Sequence, residues 1–454
     1  MRTAVVGGGL LGLTLAHRLT GLGHAVELFE AAPELGGLAC SHDYGSFTWD
    51  RFYHCILPQD QALIALLEEL GLGSELCFRT TGTGYWSANR FHSMSSNTDF
   101  LRFPLLSFVD KGRLGAAIVY ATRFADPFEL YRVTAQDWLT KICGRRTYEV
   151  FWRPLLKAKF GTFYDQVAAV FIWATLTRLF GARRGAGAKE NLGYARGGYA
   201  RILRTLATKL TERGTVIHLQ TPVAGIRRVP ARAGAREGCA LAWSTADGQP
   251  AHDEFDQVFF TAPTRLAEHL VGDDLISHVQ RMAADFPTSN AYLGVACAVL
   301  ALKKPLTPYY VLNIGDESVE LTGVIEMTNL VDRDAETNGR ALVYLPRYLG
   351  ADDERLAAPD SELLDALVGR GLKTIFPEFR DSDIDYAGVH RARYVQPLPL
   401  VGAAPTDAKK QAGLERPFQI VNTAMLTCAT LNNNEVVSLV DNYVRRHAAE
   451  LSAS

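Results

Sequence analysis

Thr3 to Val6 is an unbroken run of small and β-branched residues. Gly7-Gly8-Gly9-Leu10-Leu11-Gly12 follows it, and Leu13 to Leu22 then returns apolar residues at helical spacing. Gly23-His24 turns the chain into a second run, Ala25 to Glu30, whose β-branched and aromatic residues suit a parallel strand buried on both faces. The order strand, glycine turn, helix, strand predicts a βαβ unit. An amphipathic helix is predicted over 60–71, ending at Gly71. Residues 97–160 predict mostly helix with breaks at Pro104, Pro127 and Pro154, and 165–182 predict an apolar helix stopped by Gly181 and the Arg183-Arg184-Gly185 run. A helix from Ala200 to Arg213 and a strand from Val216 to Leu219 come next. Short strands over 225–262 turn at Asp247-Gly248. The stretch 288–350 predicts strands at Tyr292 to Leu302, Tyr309 to Ile314, Gly323 to Asn329 and Ala341 to Pro346. A helix over 360–376, a strand from Phe418 to Asn422 and a closing helix from about Asn434 to Ala449 complete the pattern.

This pattern predicts an α/β protein with a Rossmann-type domain assembled from discontinuous segments: 1–60, 195–265 and 390–454. The intervening 61–194 and 266–389 would form a mixed sheet-plus-helix substrate domain. A chain of 454 residues is too long for one ordinary core, which agrees with two packed domains. With 48% hydrophobic and 21% charged residues it can bury a large core. The net charge of −2 excludes nucleic acid as the general partner. Charge is uneven, however: Lys141 to Lys209 holds fourteen Lys or Arg against Glu149, Asp165 and Glu190. That segment is either a solvated basic face or one that meets an anionic substrate or membrane surface.

Seven cysteines at 40, 55, 77, 143, 239, 297 and 428 include no CxxC pair. Their odd number, and a first strand with no signal-like segment before it, predict a reducing cytoplasm, no disulfide framework and no metal site. No uncharged apolar run reaches the roughly 18 residues that cross a bilayer.

The glycine turn carries chemistry. Gly7 permits the tight turn after the strand, Gly9 lets backbone approach a pyrophosphate, and Gly12 permits close packing of helix on strand. The N-terminus of the helix that follows then offers free N–H groups and a partial positive charge to the phosphates, and Leu10 and Leu11 in the turn are expected to contact the cofactor. Glu30 ends the second strand, where a carboxylate can accept hydrogen bonds from ribose hydroxyls.

Glu30-Ala31-Ala32-Pro33-Glu34-Leu35-Gly36-Gly37 has the form E-x5-GG and resembles the flavin amine oxidase superfamily, which includes protoporphyrinogen oxidases, phytoene desaturases and UDP-galactopyranose mutases. The resemblance implies FAD as cofactor, with contacts at Ala31, Gly36, Gly37 and Leu38. Many members continue with Arg after the doublet; Leu38-Ala39 departs from that pattern. Gly197-Gly198-Tyr199 is similar to the family's GG-aromatic helix start, and Thr221-Pro222-Val223 resembles the strand whose valine backbone meets adenine, which carries over to Val223. Thr261-Ala262-Pro263 resembles the strand end that re-enters the FAD domain. Thr423, Asn432 and Asn434 lie where relatives set the flavin ring against a helix N-terminus. The stretches 49–54, 151–161, 325–329 and 344–348 resemble bacterial protoporphyrinogen-oxidase-like proteins.

For catalysis, the resemblance implies a histidine near the flavin at His54, able to hydrogen-bond it or move a proton. Glu326 is a second candidate as an inward carboxylate contacting substrate. Lys303 and Lys304 are either the family's flavin-facing lysine or an exposed turn. Tyr309 and Tyr310 alternate across a strand, and Arg153, Lys157 and Lys159 can pair with a carboxylate or diphosphate. Phe100 to Phe124, mixing aromatics with basic residues, is either a cap packed on the second domain or a surface lying on a membrane. The expected activity is hydride transfer from a small organic substrate, anionic or lipophilic, to FAD. The alternatives are a non-redox mutase acting on a nucleotide sugar and a membrane-associated desaturase of a lipophilic polyene.

Overall fold

A computed structural model of the chain describes residues 1–182, 190–231, 237–405 and 414–452. The expected Arg183-Arg184-Gly185 stop lies outside these residues. Five strands form an all-parallel sheet in the order Phe418–Ile420, Gln257–Phe260, Arg2–Val6, Ala25–Phe29, Val216–His218. They come from four distant parts of the sequence, as expected of a discontinuous domain. Helices cover both faces, so the first strand is buried from Thr3 to Val6. Helix Leu10–Gly21 packs beneath the sheet against helices Asn433–Arg446 and Gly198–Glu212. A three-stranded antiparallel sheet, Val223–Val229, Gly238–Ser244 and Pro250–Phe255, continues this body.

The second body is built on a seven-stranded mixed sheet in the order Ile384–Pro397, Tyr292–Leu302, Ala341–Gly350, Gly323–Glu326, Val311–Ile314, Thr83–Ser87, Arg90–Ser93. All eleven residues of Tyr292–Leu302 are buried. At about 25 cal/mol per Å² of apolar surface this strand is a main source of stability. Side chains alternate across the sheet. Ala298, Leu300, Val324 and Val343 face a helical layer around Leu367 and Leu372, whereas Val295, Cys297, Ile325 and Tyr344 face the parallel-sheet body. A helical layer, Phe108–Arg123, Ala135–Cys143, Arg153–Phe160 and Ala169–Ala182, gathers around Trp138, Tyr148 and Phe160.

Three expectations shift. Helices Gln61–Glu69 and Asp273–Asp285 contribute Leu63, Leu66, Leu275 and Val279 to the core of the parallel-sheet body, and Ile384–Pro397 belongs to the seven-stranded sheet, so the domain boundaries near 61, 266 and 390 move accordingly. Pro154 does not break its helix: the chain runs helically from Arg145 to Phe160 and accommodates the proline just after a π-helical stretch, Tyr148–Trp152. The sequence does not predict the strand Ile384–Pro397, because Asp385, His390, Arg391 and Arg393 interrupt its apolar signal on both faces.

Candidate active site

A cleft of about 480 Å³ runs from the carboxyl ends of the parallel strands to one face of the seven-stranded sheet. Ligands of open parallel sheets bind at this edge. Gly7 turns the chain with φ of +111°, a backbone region that an L side chain rarely adopts. A Cβ on Gly12 would stand 1.9 Å from the Gly7 carbonyl oxygen, so only glycine allows helix Leu10–Gly21 to sit this close to its strand. A Cβ on Gly9 would meet no protein atom within 4 Å and would project into the cleft. Gly9 is also the helix N-cap and offers no side chain to the first-turn N–H groups. An open cradle and an uncapped helix N-terminus together suit a pyrophosphate.

The glycine doublet closes against this turn. The Gly36 N–H donates to Gly8 O at 2.8 Å, and Gly37 lies against Gly9. The Glu30 carboxylate accepts from the Gly8 N–H at 2.7 Å and the Ala32 N–H at 2.8 Å, tying the two loops together. A carboxylate has about four acceptor sites, so its remaining lone pairs stay available to hydroxyls in the cleft. Thr261 Oγ1 donates to the Val6 and Gly7 carbonyls at 2.9 and 3.1 Å.

Gly7, Gly9, Leu10, Leu11, Gly12, Glu30, Gly36, Gly37, Leu38, His54, Thr261, Ala262, Thr423 and Asn432 all line this one cleft. Ala31, Val223, Asn434 and Glu326 do not. Val223 pairs with Trp243 in the three-stranded sheet. Asn434 turns away, and its Oδ1 accepts from the Ala62 and Leu63 N–H groups at 3.0 and 3.2 Å, capping helix Gln61–Glu69.

Glu326 is corrected from a substrate contact to a structural group. By strand alternation it shares the Val324 side of the sheet, away from the cleft. Its carboxylate accepts from the N–H groups of Leu306 and Thr307 at 3.0 and 2.7 Å, while Asn329 Nδ2 donates to the carbonyls of Thr307 and Tyr309 at 2.8 Å each. The two residues pin one loop. Burial pushes the Glu326 carboxyl up to about 7 despite those donors. Lys303 and Lys304 occupy an exposed turn, Lys303 donating to Ser382 O at 2.7 Å and Lys304 pairing with Asp383 at 2.9 Å. Tyr309 packs on Gly84, and burial raises the Tyr310 hydroxyl well above its usual range; neither lines the cleft.

His54 stands on the cleft wall, its Nδ1 3.5 Å from Asp50 Oδ2 and its ring 5.0 Å from that of Tyr199. Asp50 is buried, and its Oδ1 accepts from the Tyr199 N–H at 2.9 Å, capping helix Gly198–Glu212 from a distant part of the chain. A Cβ on Gly198 would stand 3.0 Å from that oxygen, which gives the Gly197-Gly198-Tyr199 step its physical role: it lets the carboxylate reach the helix. One Asp50 oxygen therefore holds a helix while the other faces the histidine.

At the sheet end the walls are Phe52, Tyr53, Val295, Tyr348, Tyr394 and Val395, with Lys159. The Tyr53 and Tyr348 hydroxyls lie 2.9 Å apart, and Lys159 Nζ sits 3.4 Å from the Tyr348 ring centroid. The spacing 49–54, 151–161 and 344–348 marks these segments in the sequence, but nothing local says that Tyr53, Lys159 and Tyr348 meet. Among the described residues, other basic side chains of 141–209 are committed internally: Arg145 to Glu149, Arg178 to Asp60, and Arg196 and Arg201 to Glu75. Among the described residues no cluster of three or more His, Cys, Asp or Glu could hold a metal ion, and no helix is long and apolar enough to cross a membrane.

The model for the family described as flavin containing amine oxidoreductase matches residues 12–407. No curated protein matches the chain. Among solved structures, an oxidoreductase from Methanosarcina mazei is 20% identical with a TM-score of 0.71, covering 98% of this chain and 100% of its own. A protein from Exiguobacterium sp. 255-15 that carries a provisional protoporphyrinogen oxidase name is 17% identical with a TM-score of 0.69, over 99% of both chains. Reduced UDP-galactopyranose mutase is 14% identical with a TM-score of 0.66, over 100% of this chain and 96% of its own. At these identities the structures establish the shared fold.

Proposed function

The chain belongs to the family of flavin-containing amine oxidoreductases, and we propose that this FAD-dependent enzyme oxidises a small organic substrate by hydride transfer in the chamber that Tyr53 and Tyr348 line. FAD is its cofactor. The residues that would hold it are the Gly7–Gly12 turn, Glu30, the Gly36-Gly37 doublet, Thr261, Ala262, Thr423 and Asn432, and once bound it supplies a hydride acceptor. The observation that carries the reading is the continuity of one cleft from the open Cα face of Gly9 to the aromatic walls at the seven-stranded sheet.

The chain's own contribution is placement and proton handling. Phe52, Val295 and Val395 give the chamber apolar walls, and a substrate that displaces water there would strengthen every polar contact inside it. His54, facing the buried Asp50 carboxylate, is the group that would hold or move a proton at its Nε2. A nucleotide-sugar mutase is the weaker reading, because Arg153 and Lys157, which could meet a diphosphate, are both bound to Glu317. Anaerobic mixing of the FAD-loaded protein with candidate amines and acids tests the proposal: a true substrate bleaches the flavin without added reductant. Activity that appears only after dithionite reduction would overturn it in favour of the mutase.

A second reading concerns membrane contact. The inner face of helix Phe108–Arg123 buries Leu114, Ala117 and Ala121, yet Phe108, Val109 and Phe124 are 81%, 64% and 75% exposed. Arg113 and Arg123 share that outer arc. Apolar anchors with flanking arginines suit an anionic bilayer surface. The protein should sediment with anionic vesicles at low salt, and the Phe108→Ser/Phe124→Ser variant should not; a wild-type protein that stays in solution at every salt concentration would end this reading.

A further inference from the structure

Helix Arg153–Phe160 carries three cations, and they are not equivalent. Arg153 and Lys157 are four residues apart and share one face of the helix. Both reach the same carboxylate, Glu317, at 3.2 and 2.7 Å. Lys159 lies about 200° further round the helix from Lys157 and points into the cleft instead. Its ammonium rests on the Tyr348 ring, 3.4 Å from the centroid, and among the described residues it makes no ion pair. A ring face satisfies part of a cation's demand and leaves its N–H donors without an acceptor.

The surroundings are one-sided. Tyr348 pairs with Val295 on the seven-stranded sheet, so Lys159 belongs to that end of the cleft. Among the described residues the one carboxylate lining the cleft is Glu30, which sits at the parallel-sheet end and is tied to Gly8 and Ala32. The chamber around Lys159 is thus aromatic and aliphatic, with a single unmatched positive charge. The neighbouring cleft of about 430 Å³ beyond Tyr348 offers no comparable charge among the described residues, since its Lys157 is held by Glu317, its Arg347 by Glu320 at 2.8 Å and its Arg355 by Asp353 at 2.6 Å.

We infer that Lys159 selects an organic anion: the substrate has an apolar body lying among Tyr53, Val295 and Tyr348 and a carboxylate or phosphate that meets the Lys159 ammonium. The inference rests on the flavin reading above and narrows its substrate class. A purely cationic amine would meet like charge here, whereas an acid or a zwitterion would not.

Wild-type, Lys159→Met and Lys159→Arg proteins are first loaded with FAD and then titrated with phenylacetate, phenyl phosphate and neutral phenylacetamide. Binding is read from perturbation of the bound flavin's visible bands and from the thermal midpoint. The anions should bind the wild type at least about tenfold tighter than the amide, and added salt should erode that preference. Lys159→Met should abolish the preference while leaving the amide's affinity unchanged, and Lys159→Arg should retain most of it. An amide that binds as tightly as the acids, or acids that bind Lys159→Met as well as the wild type, would overturn the inference. A wild-type protein that takes up no FAD would instead break the flavin reading itself, before any anion is added.

Discussion

The two ends of the cleft are built from different materials. At the parallel-sheet end the walls are backbone: the Gly7–Gly12 turn, the Gly36-Gly37 doublet and the uncapped start of a helix, fixed by glycine positions close together in sequence. At the seven-stranded end the walls are side chains drawn from residues 53, 159, 295, 348 and 394, which only the tertiary fold brings together. A backbone-built site tolerates little change in its glycines and leaves a local sequence signature. A side-chain-built site can be retuned one residue at a time and leaves almost none. The shared fold of an oxidoreductase and of UDP-galactopyranose mutase fits this division, since the scaffold does not set the chemistry at the second end.

The sharpest test of the contrast pairs two glycines of one motif. Gly12→Ala places a methyl 1.9 Å from Gly7 O and should destabilise the protein by about 3 kcal/mol, with no FAD retained. Gly9→Ala, whose Cβ meets no protein atom and whose φ of −69° suits any residue, should leave apoprotein stability within about 0.5 kcal/mol. It should nonetheless weaken FAD binding at least about tenfold, because its methyl enters the space the backbone leaves for the phosphates. Denaturant unfolding and FAD titration separate the two; equal stability losses would break the comparison.

Asp50 joins the two ends. Asp50→Ala leaves the Tyr199 N–H without its acceptor and should cost about 1–3 kcal/mol in chemical denaturation. His54→Gln keeps the Asp50–Tyr199 cap of the helix, changes a residue on the cleft wall and should reduce kcat/KM about 100-fold with FAD content unchanged. A His54→Gln enzyme with full turnover would remove the histidine from the mechanism.

Glu326 provides a pH signature of a purely structural carboxylate. Its folded-state value near 7 lies above the ordinary value of 4.5, so the folded protein holds a proton that the unfolded chain has lost. Its contribution to stability is full below about 4.5 and is lost as pH rises through about 7, up to about 3 kcal/mol in all. Glu326→Gln should flatten that part of the stability profile and leave kcat unchanged; a large loss of kcat in a folded Glu326→Gln protein would return the residue to the site.

What could be read from the sequence follows the same division. The βαβ unit, the two glycine motifs and the eleven-residue strand Tyr292–Leu302 are local patterns, and the sequence predicts each of them. Glu326 misleads because one buried polar residue in a strand looks the same whether it faces a ligand or a loop; only strand parity within the sheet decides. Asn434 misleads because helix Asn433–Arg446 presents adjacent residues to different neighbours, Asn432 to the cleft and Asn434 to Ala62 and Leu63. The role of Gly198 is invisible without Asp50, 148 positions away, and the selection of Lys159 over Lys157 requires knowing where Glu317 stands.

The central claim is that one cleft holds FAD by its backbone end. The most direct measurement is the visible spectrum of the purified protein, with any cofactor released by heat and identified by chromatography, repeated on the Gly9→Ala variant. The expected result is a flavin spectrum and an FAD peak from the wild type, and a depleted spectrum from a folded variant. A colourless wild-type protein that takes up no added FAD, or a Gly9→Ala protein that binds FAD as tightly as the wild type, would contradict the account.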